Sequence, residues 1–439
     1  MKRIILLALC VLLVCTVTVF GSGKQPQKQD QVVLKLWDTW TLPSDVKTIE
    51  AIEAKFFEKY PNVKLEKSIR TGEELKNLVL PAFASGTGPD IVRTEADLQV
   101  IAPLIRVKAI LDLTDTWKQK WDGKLFSMSK EFSSAGGRVW GLATDIEHAT
   151  IYYNMSIFEN LGLKAPTLMS EYEEILGKVK KADLIPIAWG GREWWLPSNY
   201  ATFVMWTWMG KPAVDKAVAV GGSFKIPSAY EGIQRAFVTW VDRGYYAKDA
   251  MSYNYEESNM LFFQQKSPLY PQGNWVVPNL IENVLDPGFF EVSSFLWPPT
   301  KKGQKSNNTS WCGGMYIINA DTKYAQEAIN YLDHVYGTEE STRLWYEVAN
   351  RIMPYKKPIS NLKVHPLQKE TIENILSGKI DLTPAHNTMS PPEAGTWMTE
   401  GIGKTFIKEI TPKEFVDELD RLWQEGRKEG LTKDTIKLE

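Results

Sequence analysis

Cysteine is scarce in this sequence, which has three among 439 residues. Two of them, Cys10 and Cys15, fall in an apolar run at the N-terminus, so removal of that run would leave Cys312 alone. A single cysteine excludes an intramolecular disulfide, and the fold must therefore be held by its hydrophobic core. A chain of this length can build such a core and is expected to form two or three domains.

Histidine is also scarce, and neither sign of charge is in marked excess. The four histidines, at positions 148, 334, 365 and 386, are scattered, and no two have the spacing of metal ligands. Lysine and arginine number 51 against 53 aspartates and glutamates, which gives a formal net charge of −2. This balance indicates binding neither to nucleic acid nor to an anionic membrane surface. We expect no metal and no cofactor.

Long apolar runs are absent except at the N-terminus. Two basic residues precede an apolar stretch over residues 4–20, and the small residues 21–23 follow it. This order is typical of a secretory signal peptide, which we place at residues 1–23. An uncleaved membrane anchor is the alternative, because the run approaches the roughly 17 residues that span a bilayer. A lipid anchor is less favoured, since large residues precede both Cys10 and Cys15. We expect an exported protein in the periplasm or another extracytoplasmic location.

The rest of the chain alternates between strand and helix patterns. Val32–Leu36 forms an almost continuous apolar run typical of a buried strand, and a helical pattern starts at Ser44. A second strand pattern covers residues 63–69, and a third, Ile91-Val92, follows a Gly-Thr-Gly-Pro turn. Later helices begin at capping signals, such as Thr411 before a proline. Strands that alternate with helices predict an α/β fold with a parallel sheet.

Aromatic residues are abundant, with 17 each of Trp, Tyr and Phe. Five tryptophans lie in apolar helical patterns and are assigned to the core: Trp206, Trp208, Trp240, Trp345 and Trp423. Others stand beside glycine, proline or charged residues. Aromatic rings stack on the C–H faces of a sugar, and carboxylates accept its hydroxyl protons in strong charge-assisted hydrogen bonds. Trp mixed with Asp and Glu on loops at strand ends therefore predicts a sugar site.

Several loops carry this mixture of aromatic and acidic residues. The candidates from the pattern are Trp37, Asp38 and Trp40 after the first strand, Arg192, Glu193, Trp194 and Trp195 in a glycine-bounded loop, and Trp311 as a weaker one. The alternative interpretation is that these tryptophans are ordinary core residues at strand ends and that the carboxylates are solvated.

A series of motifs follows in a fixed order along nearly the whole mature chain. It comprises Phe56–Val63, Ser85–Asp90, Gly137–Leu142, Tyr153–Phe158, Phe262–Lys266, Gly273–Trp275 and Thr411–Phe415. This order resembles the extracellular solute-binding proteins of ABC importers, in particular the family 1 members that bind maltose and oligosaccharides. Two segments depart from the family pattern: Gly141–Thr144 lacks a common proline, and Pro166–Glu171 lacks a usual aromatic residue.

The resemblance implies a two-lobed, periplasmic-binding-protein-like α/β fold of type II, in which discontinuous lobes are joined by hinge strands and sugar binds in the cleft. The N-terminal lobe is expected to comprise residues 31–144 plus 309–355, and the C-terminal lobe residues 145–308 plus 356–439. The resemblance also adds candidate ligand contacts. These are Glu95 and Asp97 after the third strand, Asp145 and Glu147 at the lobe crossing, and the stacking aromatics Trp275 and Trp397.

The sequence thus predicts an oligosaccharide-binding receptor that closes its lobes around the ligand and delivers it to the permease subunits of an ABC importer. We expect a monomer without catalytic residues. A secreted glycoside hydrolase is the alternative, because it would also combine tryptophans with paired carboxylates. A lectin-like surface protein is disfavoured, since the short-strand pattern of an all-β fold is absent from the sequence.

Overall fold

The structure is a computed structural model that describes residues 31–357, 359–376, 381–433 and 435–436. The predicted signal peptide, residues 1–23, lies outside this part of the chain. Within it, no helix combines the length and the apolar character needed to cross a bilayer.

Short strands occur from one end of the described chain to the other. In order they are β1 (Val32–Asp38), β2 (Val63–Ile69), β3 (Ile91–Glu95), β4 (Ser134–Ala135), β5 (Arg138–Val139), β6 (Leu142–Ala143), β7 (Ile146–Asn154), β8 (Leu269–Gly273), β9 (Val292–Phe295), β10 (Asn307–Cys312), β11 (Gly314–Ile318) and β12 (Asp381–Thr383).

Helices separate most of these strands. In order they are α1 (Pro43–Lys59), α2 (Gly72–Ala84), α3 (Leu98–Arg106), α4 (Thr114–Thr116), α5 (Ser127–Phe132), α6 (Met155–Asn160), α7 (Met169–Lys181), α8 (Trp195–Met209), α9 (Lys211–Val218), α10 (Pro227–Gln234), α11 (Trp240–Asp242), α12 (Tyr255–Phe263), α13 (Val277–Leu280), α14 (Ala325–Tyr336), α15 (Glu339–Glu347), α16 (Pro366–Leu376), α17 (Pro392–Phe406) and α18 (Pro412–Lys428). The cap predicted at Thr411 is confirmed, since its side chain and that of Glu414 form a capping box at the start of α18.

The first sheet has the strand order β2-β1-β3-β11-β6. Strand β1 pairs in parallel with β2 and β3, as the strand–helix–strand pattern predicts. Strand β11 arrives from much later in the chain and pairs antiparallel with β3 and β6. Leu34 and Leu36 of β1 are fully buried, because helices cover the sheet. The carboxyl ends of β1 and β3 lie at the same edge, which places the loops after them side by side.

The second sheet has the order β12-β10-β7-β8, and β9 also pairs with β7. Helices α6 to α13 connect β7 to β9 through β8, and they form most of the lobe around this sheet. Helix α8 is buried on all sides beyond its first residue, consistent with its almost continuous apolar sequence. The five tryptophans assigned to the core are buried, which confirms that prediction.

The chain passes between the two sheets at three places. The first crossing lies between β6 and β7, and the second lies at Gly313, between β10 and β11. The third follows α15, where the carbonyl of Ile352 accepts a 2.8 Å hydrogen bond from the amide of Ile146. At the second crossing the chain changes sheets later than the predicted limit at residues 308/309, because β10 pairs with β7 as far as Cys312. The lobe limits as a whole remain predictions.

Candidate functional site

A cavity of about 500 Å³ lies between the two sheets, at the edge where the crossings meet. Residues of both lobes and of the crossings line it: Thr39, Trp40, Thr41, Leu42, Asp45, Ile69, Arg70, Thr71, Gly72, Glu74, Arg93, Glu95, Asp145, Glu147, Glu193, Trp195, Asn199, Tyr255, Glu256, Trp275, Asn279, Trp311, Gly313 and Arg351. Its volume is within the usual range of ligand sites, roughly 300–1,000 Å³.

Aromatic rings form one wall of the cavity on the side of the second sheet. The Trp195 ring lies 5.3 Å from that of Tyr255 and 5.9 Å from that of Trp275, measured between ring centres. Trp275 in turn meets Trp311 at 5.5 Å. Trp195, Tyr255 and Trp275 are partly exposed and offer ring surface to a ligand, whereas Trp311 is buried and supports the wall from behind.

The first sheet contributes Trp40, which is 5% exposed. Its indole nitrogen donates a 3.0 Å hydrogen bond to the hydroxyl of Tyr316. The guanidinium carbon of Arg93 lies 4.0 Å from the centre of the Trp40 ring, and that of Arg351 lies 5.3 Å away. Trp40 is therefore held by packing and cation–π contacts at the base of the cavity.

Two bidentate ion pairs support the floor where the lobes join. Arg93 of β3 donates to both carboxylate oxygens of Asp145, at 2.9 and 3.0 Å, and so ties the first sheet to the first crossing. Arg351, at the third crossing, donates to Asp45 at 3.0 and 2.8 Å. Burial alone would raise the pKa of Asp145, but the charge of Arg93 and the Thr144 hydroxyl outweigh it and lower the pKa.

Glu95 and Glu147 also face the cavity, but neither carboxylate makes a hydrogen bond or ion pair with another described residue. Burial raises the pKa of Glu95 to about 8, and the nearby charge of Asp97 adds to the shift. Burial, followed by the charges of Asp145 and Glu95, raises the pKa of Glu147 well above its ordinary value. These two groups are therefore free to accept or donate hydrogen bonds to a ligand.

Glu193 positions the aromatic wall. One oxygen of its carboxylate accepts a 2.9 Å hydrogen bond from the indole of Trp195, and the other accepts a 3.2 Å bond from the amide of Tyr255. Two buried polar atoms beside this wall have no partner among the described residues: Nε1 of Trp275 and Oδ1 of Asn199. A buried polar atom without a partner is costly, so a ligand hydroxyl at either atom would be stabilising.

The structure brings eight of the predicted site residues to this cavity: Trp40, Glu95, Asp145, Glu147, Glu193, Trp195, Trp275 and Trp311. Three others lie near it without lining it. Trp37 packs under the guanidinium of Arg70, at 4.5 Å. Asp38 is buried, accepts from the Tyr316 hydroxyl at 3.1 Å, and has a pKa raised by burial. Asp97 is buried directly before α3.

The remaining three candidates point elsewhere. Arg192 is exposed and pairs with Glu257 at 3.4 Å. The Trp194 ring lies against the ammonium group of Lys76, at 4.4 Å. Trp397 donates a 3.0 Å hydrogen bond to the Phe415 carbonyl and packs between α17 and α18. The geometry gives no support to a stacking role for Trp397 in this cavity.

Several lining residues were not among the sequence candidates: Asp45, Arg93, Asn199, Tyr255, Asn279 and Arg351. Arg93 lies within a strand, and Asn199 within a buried helix, whereas the prediction considered loops at strand ends. Of these residues, Tyr255 had the clearest signal in the sequence, because it follows Asn254, which forms a capping box at the start of α12. Among the described residues, no group of three or more histidine, cysteine or acidic side chains is placed to hold a metal.

Residues 40–341 match the family model described as "Bacterial extracellular solute-binding protein". The chain belongs to this family. The predicted family is thereby confirmed. In common with the family, the chain is a solute-binding protein placed outside the cytoplasm.

Curated relatives of this solute-binding protein are distant in sequence. It is 21% identical over 420 residues to an uncharacterized ABC transporter extracellular-binding protein of Pyrococcus horikoshii, a match that covers 89% of this chain and 90% of the relative. It is 24% identical over 239 residues to a multiple sugar-binding protein of Streptococcus mutans, covering 53% of this chain and 56% of that one.

Solved structures similar to this solute-binding protein share its fold. One, from work on xylan utilization by Caldanaerobius polysaccharolyticus, has a TM-score of 0.79 at 21% identity, covering 89% of this chain and 99% of the other. A chitin oligosaccharide binding protein has the same TM-score at 19% identity, covering 90% and 99%. The protein RafE in complex with raffinose has a TM-score of 0.70 at 17% identity, also covering 90% and 99%. The predicted two-lobed type II fold is confirmed, and the glycoside hydrolase alternative gains no support from these relatives.

Proposed function

We propose that this protein binds a sugar, in particular an oligosaccharide, in the cavity between its lobes. The observation that carries the proposal is the wall formed by Trp195, Tyr255, Trp275 and Trp311, which faces carboxylates across one cavity of about 500 Å³. Tilted aromatic rings suit the C–H faces of successive sugar units, and carboxylates suit their hydroxyls. The names of relatives that bind sugars point in the same direction.

In the proposed mechanism, ligand contacts from both lobes stabilise a closed arrangement. A ligand shifts the equilibrium between open and closed forms only by its difference in affinity for them, and a ligand in this cavity touches both lobes only when they are close. The proposed role is delivery of the bound sugar to the permease of an ABC importer, by a monomer without catalytic activity. We place the protein in the periplasm or another extracytoplasmic space after cleavage of residues 1–23.

A titration of intrinsic tryptophan fluorescence with neutral oligosaccharides of several linkages and lengths tests the proposal. Three of the four wall residues are tryptophans, so a ligand in the cavity is expected to produce a saturable change in emission. The sugar should then be recovered intact. Recovery of shorter sugars would support a hydrolase, and no response to any sugar in the panel would contradict sugar binding.

A further inference from the structure

The cavity is lined by an excess of acidic over basic side chains. Seven carboxylates and three guanidinium groups line it. Two of the guanidinium groups, Arg93 and Arg351, are each held in a bidentate pair, by Asp145 and Asp45 respectively. The third, Arg70, packs over the Trp37 ring. Most of the remaining acidic groups of the cavity wall therefore have no cationic partner among the residues that the structure describes.

Glu95 and Glu147 are the central members of this excess. Both flank the second crossing: Glu95 lies opposite Gly314 in the pairing of β3 with β11, and the Glu147 carboxylate packs directly against Gly313. A Cβ atom at position 313 would lie only 2.1 Å from the Glu147 carboxylate. Burial raises the pKa values of both groups, and the charge of Asp97 adds to the shift of Glu95, as those of Asp145 and Glu95 add to the shift of Glu147. Their charged forms are therefore poorly stabilised in the empty cavity.

The opposite wall offers a neutral acceptor. Asn199 is 8% exposed, and its Oδ1 atom is buried without a partner among the described residues. A ligand group that carries a positive charge would pair with the two carboxyl groups far better than a neutral hydroxyl, and a hydroxyl elsewhere on the same ligand could donate to the Asn199 oxygen. Hydrogen bonds with a charged partner are roughly twice as strong as neutral ones. An anionic group would instead add to the repulsion.

We propose that the cavity selects a sugar that carries a protonated amino group, with Glu95 and Glu147 as the groups that recognise it. This inference rests on the proposed sugar-binding function and names the class of sugar. It predicts the order of affinity as amino sugar above neutral sugar above sugar acid.

Isothermal titration calorimetry tests this order with three oligosaccharides of equal length and linkage, near pH 7, where part of the sugar amine is still protonated and part of Glu95, whose pKa is about 8, is already ionised. The probes are an oligomer of glucosamine, its N-acetylated counterpart, and an oligomer of glucuronic acid. We expect the glucosamine oligomer to bind at least about tenfold more tightly than the N-acetylated one, since about 1.4 kcal/mol corresponds to tenfold. The glucuronic acid oligomer should bind more weakly than either.

Variants that replace a carboxyl group by a neutral amide test whether Glu95 and Glu147 cause the preference for the amino sugar. Glu95→Gln and Glu147→Gln keep the size of each side chain and should each remove most of the preference for the amino sugar. Glu66→Gln is the matched control, because this glutamate of β2 is exposed and does not line the cavity; it should leave the preference unchanged. An unfolding temperature close to that of the original protein shows that a variant is folded.

The outcomes separate this inference from the proposed function. If neutral oligosaccharides bind as tightly as the amino sugar, or if both glutamine variants keep the preference, the inference is overturned and sugar binding stands. If no sugar binds, whether neutral or amino, both are overturned.

Discussion

The ammonium group of Lys76 lies 4.4 Å from the centre of the Trp194 ring. Lys76 belongs to α2, which packs on the first sheet, whereas Trp194 directly precedes α8 of the second lobe. The backbone carbonyl of Trp194 also accepts a hydrogen bond from the Thr399 hydroxyl of α17. This bond holds the backbone of Trp194 within the second lobe. The cation–π contact therefore connects the two lobes beside Trp195, a residue of the cavity wall.

We expect Lys76→Ala to weaken ligand binding without lowering the unfolding temperature. An exposed cation–π contact contributes about 0.5–1 kcal/mol. Since the contact exists only while the lobes are close, its loss should raise the dissociation constant by up to about fivefold. Calorimetric titration measures the change.

Lys59→Ala is the control for that variant, because Lys59 makes a similar contact with Tyr60 within one lobe, at 5.3 Å. It should leave affinity unchanged. Equal effects of the two substitutions would show that the Lys76–Trp194 contact does not favour the closed arrangement.

Removal of an aromatic ring from the cavity wall should reduce affinity. In Trp195→Ala the ring that meets Tyr255 and Trp275 is lost, while the indole hydrogen bond to Glu193 disappears with it. Aromatic contacts contribute about 0.5–1.5 kcal/mol beyond buried area, so we expect roughly tenfold weaker binding. Thermal unfolding should change little, since Trp195 is only partly buried. A large fall in melting temperature with unchanged affinity would assign Trp195 to the core instead.

Trp397→Ala should have the opposite profile. The ring stacks on Phe415 and its indole donates to the Phe415 carbonyl, so its loss opens a gap between α17 and α18. We expect a lower unfolding temperature and an unchanged dissociation constant, measured by calorimetry and titration on the same preparation. Weakened binding by a fully stable variant would restore Trp397 to the ligand site.

The different places of Trp275 and Trp397 show how far the sequence could predict this site. Both were assigned through the family resemblance. Trp275 is the second residue after the end of β8, and its ring packs over Gly273, where a Cβ atom would lie 1.6 Å from it. This contact between a tryptophan and a glycine two residues before it is local, so the sequence was sufficient to predict it. Trp397 lies within α17, where the direction of a side chain depends on how the helix packs against α18.

The same distinction applies to the fold. The alternation of strands and helices was sufficient for the α/β class, because local periodicity determines each element. The cavity's ion pairs were not predictable, since Arg93–Asp145 and Arg351–Asp45 join residues 52 and 306 positions apart. Only tertiary structure brings such groups together.

The unliganded protein should be most stable at mildly acidic pH. Burial lowers the pKa of His148 to about 4 and that of His386 to about 3. Below pH 6.5, the ordinary pKa of histidine, the unfolded chain binds protons that the folded chain does not, so the free energy of unfolding rises as the pH rises toward 6.5. Glu95 acts in the opposite sense: with a pKa of about 8 against 4.5 unfolded, its protonated form favours the fold, and stability falls as pH rises toward 8.

Melting temperature measured as a function of pH checks this profile, and Glu95→Gln should flatten the fall between pH 6.5 and 8. An equally steep fall in the variant would show that another group is responsible.

Substitution of Gly313 should disturb the ligand site more than the fold. A Cβ atom at this position would lie 2.1 Å from Oε1 of Glu147, the end of a side chain that can move into the cavity. Gly313→Ala should therefore fold normally yet bind ligand at least about tenfold more weakly, because the displaced carboxylate occupies ligand space.

In Gly314→Ala the added atom would meet Arg93 and Asp145, at 2.4 and 2.7 Å, and would break their buried pair. That variant should lose stability as well as affinity, since a separated buried pair costs about 3–5 kcal/mol. Chemical unfolding of both variants, compared with their titrations, tests the contrast. Equal loss of stability in the two would show that Glu147 cannot yield and that both glycines are required by the fold itself.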